Sequence, residues 1–311
     1  MERAPLFEDV ADAPEGGLAH WVYASDSVRL RVAHWRCEGG RGTVLMLPGR
    51  TEYVEKYGPA AGEFAKAGFA MAAIDWRGQG LADRMLADRM GGHVLEFRDF
   101  QKDLVAMLQT AAQLDLPRPW HVLGHSMGGC IALRALIEGL DVASCAFSSP
   151  MWGIQMSPTL RPMAWSLSWM ARQVALDHIY APGTSGASYP NAVGFDGNML
   201  TCDRDQFNWM ARQVDAHPEL GLGGPSLRWL NEALRECKGL SVLESPKLPC
   251  LTVLGTDERI VDPDAIRARM ADWPQGELLM IENGRHETMM ETAERRSRVF
   301  DAFRDHFAAH S

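Results

Sequence analysis

The chain has 311 residues, 46% of them apolar and 23% charged, which suits one large α/β domain or one domain carrying an insertion. Its formal charge of −9 argues against a nucleic-acid partner, since no basic stripe exists to displace counterions, and against electrostatic docking on anionic lipid. Hydrophobic contact with a membrane or micelle surface is not excluded, but no run approaches the ~18 apolar residues of a spanning helix.

The first elements are a hairpin, with Leu18 to Tyr23 and Val28 to Trp35 alternating about the turn Ala24-Ser25-Asp26-Ser27. Apolar strands separated by helices follow. Thr43 to Leu47 is a predicted strand, Val54 to Ala67 a helix, Phe69 to Ile74 a strand and Phe97 to Leu114 an amphipathic helix. A strand at Trp120, a helix after Ser126 and a strand at Ala143 to Phe147 continue the series. Near-continuous apolar strands in this rhythm imply a mostly parallel sheet flanked by helices on both faces.

Near Pro150 the rhythm stops. Between Met151 and about Ser245 no buried strand is predicted, and five of the ten tryptophans fall there. Met163, Leu167, Met170 and Val174 share one helical face, beside Trp165 and Trp169. Strand and helix return with Cys250 to Leu254, Asp264 to Trp273, Glu277 to Ile281 and a last helix from about Thr292 to Phe307. The expectation is therefore a sheet domain, residues 1–150 and 246–311, interrupted by a helical cap over residues 151–245. The acidic, apolar-poor stretch Met1 to Gly17 is unlike a secretory signal. Six scattered cysteines without C-x-x-C read as free thiols in a reducing compartment, so a cytoplasmic location is expected.

The chemistry centres on Gly124-His125-Ser126-Met127-Gly128-Gly129, between a predicted strand and a predicted helix. Strand, G-x-S-x-G, helix is the context of a nucleophile elbow, whose turn is too tight for a Cβ at positions 124 and 128. Gly183-Thr184-Ser185 begins the same pattern but continues to Ala187 with no strand before it, so it is a loop. A serine hydroxyl needs a base, and the base an orienting acid. In an elbow enzyme these follow in the order serine, acid, histidine, on loops after later strands. The strand ending at Leu254 leads into Asp257, with Glu258 and Asp262 further along the loop; position favours Asp257. The strand ending at Ile281 leads to His286. His125 adjoins the nucleophile but leaves the turn in another direction, which suits packing or a local hydrogen bond. His286-Glu287 is not H-E-x-x-H, because Met290 stands where the second histidine would, so no metal and no cofactor are expected. For the oxyanion, the backbone N–H groups of Met127 and Arg50 are the natural pair of donors, with Gly49 allowing close approach.

Taken together, LPGRTEYVEKY, DWRGQG, GHSMGG, SSPMWGI, PELGLGGPSLRWL, GTDERIVD and NGRHE resemble bacterial lysophospholipase L2-like proteins, in the monoacylglycerol-lipase branch of the α/β-hydrolases. The likeness runs from about residue 18 to nearly the end. It implies the α/β-hydrolase fold with an inserted cap, Ser126 as nucleophile, Asp257 as acid, His286 as base, and Arg50 and Met127 as oxyanion donors. One departure is Pro48-Gly49 where the family usually has His-Gly.

The expected activity is hydrolysis of a lipid-like monoacyl ester through an acyl-serine. Met151 and Trp152 are expected as pocket walls, and Glu52 or Arg50 as contacts for a polar head group. A peptidase or thioesterase with the same triad is the alternative, as is a ligand-binding homologue without turnover.

Overall fold

A strand apolar on both sides needs cover on both, and the predicted strands pair into one sheet whose two faces are covered by helices. The computed structural model describes residues 1–38 and 40–311. Among these, the strands are β1 (Arg3–Ala4), β2 (Leu18–Tyr23), β3 (Arg29–Trp35), β4 (Thr43–Leu47), β5 (Ala70–Asp75), β6 (Trp120–His125), β7 (Ser144–Ser148), β8 (Cys250–Gly255) and β9 (Gly276–Ile281). They form one nine-stranded sheet in the order β1-β2-β3-β5-β4-β6-β7-β8-β9. Pairing is parallel from β5 through β9 and antiparallel among β1, β2, β3 and β5.

The helices are α1 (Glu8–Ala11), α2 (Gly58–Lys66), α3 (Asp99–Gln113), α4 (Met127–Ile137), α5 (Leu160–Gln173), α6 (Tyr189–Val193), α7 (Arg204–Ala216), α8 (Leu227–Ser241), α9 (Pro263–Ala271) and α10 (Ala293–Ala309). Alternation along β4 divides its side chains between two cores. Leu45 and Leu47 join Val122 and Phe147 against Met107, Ile131 and Leu240. Val44 and Met46 join Leu123 and Val253 against Phe64, Phe303 and Phe307. Each fully buried side chain of this size contributes ~1.5–3 kcal/mol of apolar transfer, so the sheet is held from both sides.

The helix predicted from Val54 begins instead as a 3-10 turn, Val54–Tyr57, before α2. Pro59 explains the break: it has no N–H to give and suits the first turn of a helix rather than its interior. The two-residue strand β1 is too short to leave a periodic signal.

Between β7 and β8 the chain adds helices and isolated bridges, with no strand of the sheet. Helix α8 packs into the main core through Trp229, Ala233, Cys237 and Leu240. Helix α5 buries little beyond Ser168 and Ala171. Its predicted face is exposed, Met163 at 65% and Met170 at 52%, with Trp169 beside it at 57%. The six cysteines are unpaired, and no described helix is long and apolar enough to cross a membrane.

Candidate active site

Ser126 stands between β6 and α4 with φ 47° and ψ −116°, a conformation that costs about 1–3 kcal/mol and persists only where its surroundings hold it. They do so through its own backbone. Its N–H donates to the Ser148 carbonyl at 3.1 Å, and its carbonyl accepts from Gly129 and Met151 at 3.0 and 2.8 Å. The glycines on either side are required by close approach: a Cβ on Gly128 would lie 1.9 Å from the Leu47 carbonyl oxygen, and one on Gly124 2.8 Å from Gly129 Cα.

His286 follows β9 and lines the same cavity as Ser126. Its Nδ1 lies 2.8 Å from Glu258 Oε2, a fully buried contact on the carboxylate side. Asp257, the acid expected from position, is exposed, and its N–H is drawn to the Gly284 carbonyl at 2.9 Å. That pairing turns the residue outward at the end of β8 and brings its neighbour under the imidazole, so the acid that meets His286 is Glu258. The other oxygen of Glu258 accepts from the N–H groups of Ile260 and Val261 at 2.7 and 3.1 Å. Burial opposes its ionisation, but His286 and those two donors outweigh it and hold the carboxyl below its ordinary range. Asp262 is engaged elsewhere, capping α9 through Asp264 and Ala265.

The loop after β4 carries Pro48, Gly49 and Arg50. The Pro48 carbonyl accepts from Trp76 Nε1 and the Gly49 carbonyl from Gln79 Nε2, both at 2.9 Å, while Gln79 Oε1 accepts the Thr51 N–H at 3.2 Å. The Gly49 N–H donates to Glu52 Oε2. Four tethers thus shape the loop that follows Pro48. Asp75 anchors the same region, accepting from Arg31 Nε at 2.7 Å, the Val54 N–H at 2.9 Å and the Leu81 N–H at 2.8 Å. Among the described residues, the backbone N–H groups of Arg50 and Met127 donate to no protein acceptor. Met127 is the first residue of α4, so its N–H has no partner within the helix.

Behind His125 lies a buried charge cluster that no sequence motif announced. Lys56 Nζ reaches Glu52 at 2.5 Å and Glu287 at 2.7 Å, and the Tyr57 hydroxyl donates to Glu52. His125 Nε2 faces the same carboxylates at 3.5 and 3.4 Å, while its Nδ1 is 3.0 Å from the Ser148 carbonyl. Burial opposes the charge on His125, but Glu287 and Glu52 outweigh it and raise its pKa. Burial likewise opposes ionisation of Glu287, yet Lys56 and His125 hold its carboxyl well below the ordinary range. Donor atoms of Glu52, His125 and Glu287 lie within 4.8 Å of one another, a spacing that could hold a metal ion. The Lys56 ammonium already occupies the cationic position between both carboxylates, so the set fits an ion-pair network better than a metal. The signals that could have found it are the spacing of Glu52 and Lys56 and the abutment of Glu287 on His286.

A cavity of about 240 Å³ opens on Ser126 and His286, lined among others by Arg50, Glu52, Tyr189, Met199, Met210 and Leu222. Two expected wall residues are absent from it. Trp152 packs between Phe147 and Trp273, and Met151 lies in the main core, because the chain turns inward after β7 as Met151 N–H bonds Ser126. Nor does α5 reach the cavity; the methionines that line it are Met199, in the loop before α7, and Met210, within α7.

The family described as serine aminopeptidase S33 (Hydrolase_4) matches residues 39–293 of the chain. Lysophospholipase L2 of Escherichia coli K12 is 30% identical over 92% of this chain and 86% of its own. Probable lysophospholipase L2 of Haemophilus influenzae is 27% identical over 81% and 79%. A soluble variant of monoglyceride lipase from Saccharomyces cerevisiae superposes with a TM-score of 0.73 at 18% identity, over 93% of this chain and 94% of that one. These likenesses agree with the α/β-hydrolase fold described above.

Proposed function

Since the chain belongs to the Hydrolase_4 family of α/β-hydrolases, as a relative of the lysophospholipases L2, we propose that it hydrolyses lipid-like monoacyl esters through Ser126, His286 and Glu258. The observation that carries this reading is the contact of Glu258 with His286 Nδ1 at the edge of the cavity that holds Ser126.

Ser126 Oγ attacks the acyl carbon as His286 Nε2 takes its proton, and Glu258 fixes the tautomer and balances the imidazolium. The oxyanion is held by the N–H groups of Arg50 and Met127, which have no other acceptor to leave. The C–O bond then breaks, the alcohol departs with the proton from His286, and an acyl-serine remains. Water, deprotonated by His286, adds to that acyl group; the C–O bond to Ser126 breaks, the fatty acid leaves and Ser126 regains its proton. The apolar lining of Met199, Leu200, Met210, Val214 and Leu222 suits an acyl chain. We read residues 151–245 as the cap over this site, and the exposed apolar face of α5 as its contact with a micelle or membrane surface. The unpaired cysteines suit a cytoplasmic location.

A fluorophosphonate probe tests the nucleophile. It should label the wild-type protein and leave Ser126→Ala unlabelled; an unlabelled wild type would overturn the reading. A panel of acyl esters, thioesters and amides tests the bond, with turnover expected on esters. Capture of a peptide's free amine would need an available carboxylate, whereas Glu52 and Glu287 are both committed to Lys56. Preferential cleavage of amides would favour a peptidase.

A further inference from the structure

The loop that carries the proposed base is bonded to a short segment of the insertion, residues 198–203. The His286 N–H donates to the Met199 carbonyl at 3.5 Å, and the Glu287 N–H to the Leu200 carbonyl at 2.8 Å. Arg285, the residue before the base, donates from Nη1 to the carbonyls of Asn198 and Thr201 at 3.0 and 3.1 Å. Thr201 Oγ1 donates in return to the Met290 carbonyl at 2.7 Å. Glu291, fully buried, closes the set: its Oε1 accepts from the Arg285 N–H at 2.8 Å and from the Cys202 N–H at 3.1 Å. One carboxylate oxygen therefore joins the main chain beside the base to the main chain of the insertion. Ser126 and Glu258 are bonded elsewhere. The backbone of Ser126 meets Ser148, Gly129 and Met151, and the Glu258 carboxylate meets Ile260 and Val261 besides His286.

The segment is also braced within itself. Asn198 Oδ1 accepts from the N–H groups of Leu200 and Thr201 at 2.8 and 3.0 Å, and Thr201 Oγ1 accepts from the Asp203 N–H at 2.9 Å. A push on it is passed on rather than absorbed. Met199 and Leu200 line the cavity beside Ser126 and His286, and Met199 keeps 37% of its surface exposed. An acyl chain that covers this surface gains apolar burial only where the segment sits against it, so the chain biases the segment's position. The residues that would meet the chain are the same two whose carbonyls hold His286 and Glu287. Misplacing a catalytic group by about 1 Å costs of order 10² in rate, which gives such a coupling a large effect on kcat.

We propose that residues 198–203 and the loop 283–291 move as one body, with Arg285 and Glu291 as positioning residues, so that an acyl chain seated on Met199 and Leu200 sets the place of His286. This rests on the ester-hydrolase reading and deepens it: the length of the acyl chain is read in kcat, through the base, and not in KM alone.

The test compares 1-butanoylglycerol with 1-octanoylglycerol, both kept monomeric and both releasing the same alcohol, in the wild type, Arg285→Met and Thr201→Val. In the wild type kcat should be at least about fivefold higher for the longer chain. In each variant that kcat ratio should fall to about half or less, while KM stays lower for the longer chain by the wild-type factor. A role confined to stability would lower kcat for both esters alike and leave the ratio standing. Wild-type discrimination confined to KM, or a ratio that falls by less in both variants, overturns the proposal. Hydrogen exchange followed by NMR needs no variant. In the wild type the amides of Cys202 and Glu287 should open together and show protection factors within about fivefold of each other. A wider gap overturns the single body whether or not the variants fold. A wild type that cleaves neither ester would refute the hydrolase reading, while the exchange comparison would still decide whether segment and loop move together.

Discussion

Glu258 Oε2 lies 2.8 Å from His286 Nδ1, while Asp257, one residue earlier, faces solvent. The residue that leaves a strand first is not the residue that meets the imidazole; the pairing of Asp257 N–H with Gly284 decides which does. Glu258→Gln should therefore lower kcat on an octanoyl ester by about 10²–10⁴-fold, as loss of an orienting acid does. Asp257→Asn should change it by less than about threefold. Steady-state rates for the two variants give a clear decision, and the reverse ranking would return the role to Asp257.

Lys56 is the counter-charge for two buried carboxylates. Lys56→Met would leave Glu52 and Glu287 facing each other without it, and a broken buried pair costs about 3–5 kcal/mol. Urea unfolding followed by far-UV circular dichroism should show a drop of that order. A loss below about 1 kcal/mol would mean that solvent or rearrangement compensates the pair.

Acid sensitivity follows from buried histidines. Burial, with smaller help from His20, lowers the pKa of His34 to about 4, and neither of its ring nitrogens has a hydrogen-bond partner. An unfolded chain takes up this proton near pH 6.5, whereas folded His34 resists it until about 4. Between those values the unfolded state binds more protons, so stability rises with pH and is lost on acidification. His125, raised, and Asp103, pushed up to about 6, work in the opposite sense. The comparison is therefore made against His34→Leu, which lacks this one proton. Between pH 7 and pH 4.5 the wild type should lose about 2 kcal/mol more than the variant in denaturant midpoints converted to free energy. Parallel curves would contradict the assignment.

Helix α5 offers Met163, Trp169 and Met170 to solvent. Replacing Met163 and Trp169 by glutamate should leave thermal stability within about 0.5 kcal/mol, since neither supports the core. Hydrolysis of a monomeric ester should be unchanged, and hydrolysis of the same bond in micelles should fall several-fold. Equal loss on both substrates would place the helix's role in the site itself.

The sheet was legible because its strands are apolar on both faces, and the elbow because Gly124, Ser126 and Gly128 answer a steric demand that few other sequences meet. His286 was legible from its loop. Lys56 and Glu287 escaped because their meaning comes from elements more than two hundred positions apart, and an isolated lysine early in a helix carries no sign of burial. Trp152 misled for a related reason: a tryptophan beside a catalytic loop serves packing as well as binding, and only the direction of the turn after β7 separates them. Likewise, the period of α5 marked an apolar face correctly without saying what it faces.

The buried apolar side chains of α5 and α7, Ala171, Phe207 and Met210, belong to the small groups Ala171-Ala181-Leu227 and Phe207-Met210-Met290, whereas α8 and the sheet share the large cores. Opening is cheapest where the fewest contacts must be broken. Warming should thus loosen α5 and α7 before the sheet, so that their amide hydrogens exchange first while the turn at Ser126 keeps its shape.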